Sequence, residues 1–420
     1  MKKINNWIEN VDGEKGILRR ATGWNLVASL VNASMTAIII FFMSRTGQAE
    51  LAGIFSIATA IAYQVQAIGF FGVRNFHITD VQNQFSFSDY AYINIFSSVI
   101  MIGSLLFIIF HNEYSTDKAI IVLIYSLFRA LDIYEALFHD EYQRKGRIDI
   151  GLILQTIRYL ISLTVLIALL LLSKNMILSI LGALIISIIL IFVQNRYFYS
   201  KFGCFLEKID VKKIKKLFWI CLPICVSGFI SMYLTNAPKY SIDAVLNDQI
   251  QGIFAILFVP VFTINLLSTV IYRPYISQIS QEWADKNKSV FLKLIGKQLF
   301  IILLLTLLIT GFGYLIGLKW LEIIYSTDLS HYMSEFLILL IGGGLNTLSV
   351  FLSQILIIVG YYQWNLIIYV FSMIFTVAFG NFLVADQNVL GAAFLYSIPS
   401  IILVGFSFVL LMIKVNNSHE

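Results

Sequence analysis

Long apolar runs recur along almost the whole of this 420-residue chain, each near the length of a bilayer-crossing helix and each closed by a short polar stretch. A window of about 19 residues picks out twelve of them, at 21–44, 50–72, 90–110, 118–138, 150–172, 176–194, 217–236, 252–272, 291–318, 333–359, 364–384 and 390–413. Only a bilayer accepts such a series, because a helix satisfies all its backbone amides internally where water is absent. The composition agrees: 59% of residues are hydrophobic and 13% are charged, too few polar residues to coat a soluble globule. The polar stretch 1–20 contains no apolar core of a cleavable signal, so the first run is expected to remain as a helix.

Twelve crossings place both termini on one side, and Lys and Arg identify that side. Of the 29 basic residues, Arg45, Lys118, Lys174, Lys239 and Lys319 fall in the outer connections, and Arg129 and Arg158 fall within runs. The other 22 fall on the side of the termini, among them Lys2, Lys3 and Lys208. The positive-inside rule then puts both termini in the cytoplasm. The net charge of +5 concerns topology and implies no nucleic-acid partner.

The longest and most basic inner connection, 195–216, divides the chain into an N-terminal bundle at 1–194 and a C-terminal bundle at 217–420. An internal repeat supports the division. "AGIFSI" at 52–57 matches "QGIFAI" at 251–256 at an offset of 199 residues, and the same offset superposes Arg74 on Arg273. Six crossings per half is an even number, so the halves share one orientation about an axis along the membrane normal. The expected fold is all-α: twelve transmembrane helices in two six-helix bundles with a central cleft, the place where secondary transporters bind substrate.

Charges within crossings demand an explanation, since each costs at least a few kcal/mol in hydrocarbon. The fourth run contains Arg129, Asp132 and Glu135, and the fifth contains Arg158. Asp132 lies roughly 13 Å and Arg158 roughly 15 Å from the inner ends of their helices, at 1.5 Å per residue. The two are level, so an Asp132–Arg158 pair is expected. Arg129, three residues from Asp132, either shares its carboxylate or points into the cleft. Pro238 is expected to break the seventh helix near Ala237 and to leave Lys239 in the outer connection 237–251, among the longest of these short connections, with Asn236, Tyr240 and Asp243 around it. Lys239 there either snorkels to headgroups or offers a polar notch to an anion. In-span Trp24, Asn25, Asn32, Tyr63, Gln64, Gln66, Asn265, Asn346 and Gln354 either join helices or suit a sugar.

Several chemistries find no motif. There is no GxxxxGK[ST] loop, no HExxH and no GxSxG, and His77, His111, His139, His331 and His419 are dispersed. Cys204, Cys221 and Cys225 form no CxxC and suit apolar packing. The outer connections are short, which argues against a membrane polymerase or acyltransferase.

The stretches "NAPKYSID", "QGIFAILFVPVFTINLLSTVIYRP", "GVRNFHITD" and "EYQRKGRIDI" resemble the Wzx-type oligosaccharide-lipid flippases of the MOP exporter superfamily. The resemblance covers the chain in length, span number and layout. It implies a non-enzymatic flippase of the bacterial cytoplasmic (inner) membrane. The substrate would be an undecaprenyl-diphosphate-linked oligosaccharide repeat unit for O antigen, within lipopolysaccharide biosynthesis, or for another surface polysaccharide such as capsule. Alternating access would carry that unit to the outer leaflet. The resemblance also implies polysaccharide polymerase and chain-length machinery as partners and no cofactor, with the coupling ion, H+ or Na+, left open. Arg45, Arg129 and Lys239, with Asn236 and Tyr240, become candidate diphosphate or sugar-acid contacts, and Arg74 and Arg273 inner-mouth contacts. Asp132, Glu135, Arg158 and Asp243 are then structural or coupling charges. The acids beside Arg129 depart from an all-cation cavity. The alternative within the superfamily is a drug/cation antiporter, in which acidic residues should dominate.

Overall fold

The computed structural model describes residues 13–46, 48–80, 84–202, 204–206 and 209–417; Lys2, Lys3 and Lys208 lie outside them. The described residues form helices joined by short connections. In order these are α1 (Gly13–Arg45), α2 (Ala49–Phe70), α3 (Val73–Thr79), α4 (Phe87–His111), α5 (Thr116–Arg144), α6 (Ile148–Ser173) and α7 (Met176–Lys201), then α8 (Val211–Val245) and α9 (Asp248–Tyr272). A 3-10 turn at Arg273–Tyr275 leads to α10 (Ile276–Ala284), α11 (Lys288–Phe312), a π-helical turn and α12 (Leu318–Tyr325). The chain ends with α13 (Met333–Ile358) and α14 (Tyr362–Asn417).

Among the described residues, ten helical stretches are long and apolar enough to cross a membrane. The other two of the twelve crossings are concealed for physical reasons. α5 fails an apolar count because Arg129, Asp132 and Glu135 sit in its middle. α14 is two crossings joined by a reversal at Asn388 (φ 52°, ψ −127°), a positive φ that Asn tolerates better than most residues. Past that point the chain folds back on itself. A Cβ on Gly391 would collide with the Leu383 carbonyl, and one on Gly380 would lie 3.2 Å from Leu395. The chain is an all-α integral membrane protein.

Two expected connections prove mostly helical. α7 continues to Lys201 and α8 begins at Val211, so the 195–216 segment contains only a brief non-helical stretch. The expected break at Pro238 does not occur either, and α8 runs through it to Val245, leaving Leu246 and Asn247 before α9. Proline there removes the one backbone donor to the Leu234 carbonyl, and side chains add bonds in the turn before it. Asn236 Nδ2 donates to the Met232 carbonyl (3.1 Å) and Thr235 Oγ1 to that of Ser231 (3.0 Å). Lys239 is therefore inside a helix, and the outer loop assigned to it is absent.

By internal contacts the chain divides into two compact units, Met1–Phe42 with Ala58–Phe229, and Met43–Ile57 with Ile230–Glu420. The division falls inside α8, whereas the charge pattern divides the chain at 195–216. The first half of α8 explains the difference, because Leu217, Cys221 and Cys225 belong to the same core as Phe71, Tyr90, Phe138 and Tyr142. The three cysteines are free and buried. In this unit α4 starts with a capping box, in which Ser86 Oγ accepts from Asp89 N and Asp89 Oδ2 accepts from Ser86 N.

The second unit is organised around α13. Its consecutive glycines Gly342, Gly343 and Gly344 meet three different neighbours: Ser397 of α14, Val261 of α9 and Thr306 of α11. Successive helical residues point about 100° apart, so α13 is packed on three sides at one level. Small residues permit that approach where lipid offers no hydrophobic drive. The peripheral face of α11 is open to the apolar medium, with Leu307 69% and Leu308 60% exposed. The two glycines of the internal repeat also meet in this unit. A Cβ on Gly53 would strike the Asp248 carbonyl and come within 3.0 Å of Gly252 N.

Candidate functional site

In the first unit, four ionisable side chains from α5 and α6 converge at mid-helix. Arg129, Asp132, Glu135 and Arg158 are 3%, 4%, 1% and 0% exposed, so none reaches the surrounding medium. Asp132 and Glu135 are three residues apart on α5 and share one face, and both face Arg158 of antiparallel α6. Arg158 Nη2 donates to Asp132 Oδ1 and, at 2.8 Å, to Glu135 Oε2. Arg129 Nη2 lies 3.0 Å from Asp132 Oδ2, so it shares the carboxylate.

Helices α1 and α2 complete this setting. Gln66 Nε2 donates to Asp132 Oδ2 (2.9 Å) and to the Arg129 carbonyl (2.7 Å), and Arg129 Nη2 reaches Asn32 Oδ1 at 3.4 Å. The Arg129 guanidinium carbon lies 4.7 Å from the Tyr63 ring centre and 5.7 Å from that of Tyr159, and Arg158 lies 4.6 Å from Tyr159. Such rings stabilise a desolvated cation by about 2 kcal/mol. The quartet is charge-balanced, two cations against two carboxylates. Nε and Nη1 of both arginines and Glu135 Oε1 are nevertheless buried without a partner among the described residues. Each such atom costs about 1–3 kcal/mol unless water or a ligand reaches it.

The second unit presents the opposite situation. Lys239 is 5% exposed, its Nζ lies 5.6 Å from the Phe258 ring centre on α9, and no carboxylate of the described residues stands within ion-pair distance. Asp243, one turn on, does not pair with it. Tyr240 stacks on Tyr233 with ring centres 5.7 Å apart, while Asn236 is occupied by the backbone of its own helix. Lys239 is thus a buried side chain beside the Phe258 ring, with no carboxylate of the described residues as counter-ion.

The other basic candidates do not join either group. Arg45 Nε and Nη2 donate to the carbonyls of Ile324 (2.8 Å) and Ile323 (2.6 Å), capping the last turn of α12, where carbonyls lack helical partners. Arg74 Nε lies 3.2 Å from Asp140 Oδ1, and the two border a small pocket with His139, Gln143 and Gln155. Arg273 is exposed at the end of α9.

A second polar cluster lies where α3 and the first turn of α4 meet the last turns of α5. His77 Nε2 is 3.0 Å from Glu141 Oε2, and its ring stacks on Tyr90 at 4.1 Å. Tyr90 donates to Asp80 Oδ2 at 3.0 Å. Burial lowers the His77 pKa, and the Glu141 carboxylate only partly offsets that effect. Local sequence gives no sign that His77 has a partner, because Glu141 is 64 residues away. Tyr159, Asp140 and Phe258 were likewise not singled out, since nothing in their local sequence distinguishes them from packing residues. No group of His, Cys, Asp and Glu among the described residues could hold a metal ion.

Comparison with known proteins places the fold. No family model matches the chain, and no curated protein does. Solved structures do match over nearly its whole length. The chain resembles an inward-facing multidrug resistance MATE family transporter of the MOP superfamily, with TM-score 0.65 and 12% identity over 94% of this chain and 95% of that one. An outward-facing transporter of the same description matches with TM-score 0.60 and 12% identity over 98% and 97%. A third match, a MOP superfamily transporter from Pyrococcus furiosus, is described as having a binding pocket of reverse polarity that suggests a different function. Its TM-score is 0.59, with 10% identity over 99% and 98%. At these identities the likeness establishes the fold, that of the MATE transporters of the MOP superfamily.

Proposed function

We propose that this chain is a flippase that moves a polyprenyl-diphosphate-linked oligosaccharide across a bacterial cytoplasmic membrane by alternating access, with both termini in the cytoplasm. The observation that carries the proposal is Lys239. A buried ammonium beside the Phe258 ring, with no carboxylate partner among the described residues, calls for an anionic ligand, because an isolated cation at bilayer depth is costly. The diphosphate is such a ligand, and Tyr240 beside Lys239 supplies the flat apolar and hydroxyl-bearing surface that sugars use. The acids of the first unit are already matched by Arg158 and Arg129, so they do not offer the free negative charge that a cationic drug needs. Fold neighbours recorded inward-facing and outward-facing, and one of reversed pocket polarity, support a transport cycle in which pocket charge selects the cargo.

A drug/cation antiporter is the second reading, and Glu135 Oε1, buried without a partner, is the observation that favours it. Deleting the gene in its host separates the two. Lipid-linked oligosaccharide should accumulate on the cytoplasmic leaflet, and wild-type protein should restore export while Lys239→Ala does not and Lys239→Arg does in part. Normal surface polysaccharide in the deletion strain, with new sensitivity to cationic dyes, would overturn the flippase reading in favour of the antiporter.

A further inference from the structure

The surface of the first unit carries a groove of about 350 Å³ between α4 and α5, closed at one end by Cys204 and Leu206. Its α4 wall extends from Phe87 to Ile102, about 22 Å at 1.5 Å per residue. That is most of a hydrocarbon layer roughly 30 Å thick. Ala91 and Ile133 form a floor that is 3% and 2% exposed, while Val99 on the rim is 65% exposed. The slot therefore opens sideways into the apolar medium along its length.

Cations gather at the closed end. Lys201 ends α7, and Lys216 Nζ lies 5.9 Å from the ring centre of Phe85, two residues before Phe87; Lys145 Nζ, which donates to the Phe202 carbonyl, is already paired with Glu141 Oε1 at 3.1 Å. A long apolar slot with positive charge at one end complements a lipid of one chain and an anionic head. A volume of about 350 Å³ over about 22 Å of length leaves a mean cross-section of roughly 16 Å², room for one chain and not for the two of a phospholipid. Aromatic walls from Phe87, Tyr134 and Phe138 suit the methyl-branched, flat segments of an isoprenoid.

We propose that this groove binds the tail of a single-chain isoprenoid phosphate lipid, with its anionic head at Lys201 and Lys216. The choice of ligand class rests on the flippase reading. The tail would then travel along the first unit rather than free in the bilayer, so the groove would help select the carrier lipid independently of the sugar.

The test uses the full chain in phosphatidylcholine nanodiscs, with undecaprenyl phosphate as probe and phosphatidylglycerol as comparison, and bound lipid counted by native mass spectrometry. Undecaprenyl phosphate should be retained at least fivefold over phosphatidylglycerol. Ser98→Phe and Ala130→Phe, which fill the slot from opposite walls, should each remove most of that preference. Lys201→Gln, an exposed change that leaves the helices intact, should weaken retention roughly fivefold, and less so in high salt. Equal retention of the two lipids would reduce the groove to ordinary lipid contact, and undiminished binding in the filled variants would place the tail elsewhere; either result overturns the proposal. If one filled variant fails to fold, the other and Lys201→Gln still decide. Gene deletion tests the flippase reading separately, so a groove without isoprenoid preference leaves that reading standing.

Discussion

Arg158→Leu tests whether the quartet of the first unit is held together by charge balance. Arg158 is wholly buried and supplies Glu135 with its only ion pair among the described residues. In the variant, two carboxylates that are 4% and 1% exposed must share Arg129, which reaches Asp132 alone. Removing one partner from a buried ion pair costs about 3–5 kcal/mol, mostly from the uncompensated charge left behind. Leu restores some apolar packing but cannot restore neutrality. Adding Glu135→Leu returns the net charge of the cluster to zero and keeps the Arg129–Asp132 pair. The double variant should therefore recover at least half of the loss, an interaction energy of about 2 kcal/mol. The assay is unfolding of the purified proteins in mild detergent, by thermal melting and by titration with a denaturing detergent, for both single variants and the double. A loss of less than about 1 kcal/mol in Arg158→Leu, or simple addition of the two single effects, would refute the reasoning.

Three further outcomes follow from other contacts. Gly53→Ala places a methyl group against the Asp248 carbonyl, a backbone atom that cannot rotate away. It should cost about 3 kcal/mol or more, seen as a large fall in melting temperature or in folded yield. Arg45→Gln removes the guanidinium from the last carbonyls of α12; melting should report a loss of about 1–2 kcal/mol, with no local rescue by Arg45→Lys, whose ammonium lacks the planar fork. His77 has a pKa lowered by burial, so between its ordinary value near 6.5 and its lower folded value the unfolded chain binds the extra proton. Stability contributed by His77 should thus be fully present above about pH 6.5 and decline as pH falls, and His77→Gln should flatten that decline in melting curves from pH 7 to 5. Glu141, Asp80 and Arg144 face the same histidine, so the difference between variant and parent is the quantity to measure.

Much of this architecture was legible because apolar runs and turn residues act locally. The reversal at Asn388 coincides with the gap between the runs at 364–384 and 390–413, and the level placement of Asp132 and Arg158 follows from counting helical rise on antiparallel neighbours. What escaped was decided by tertiary contact. Pro238 carries a strong local signal against helix, yet α8 runs through it to Val245, and Lys239 is buried with it. Arg45 gives no hint that its partners are carbonyls 278 and 279 residues away. Arg74 likewise finds Asp140 on α5, a carboxylate that local sequence leaves undistinguished.

The meeting of Gly53 and Gly252 has a consequence for how such a chain can change over time. If the two halves descend from one duplicated gene, the ancestor would have faced its own copy at this glycine, and any bulk introduced there would have been encountered twice at once. After fusion each position could drift alone, yet Gly53 still confronts the backbone of the other half at Asp248 and Gly252. The pair therefore forms a bottleneck at which ancestry continues to restrict what either half can become.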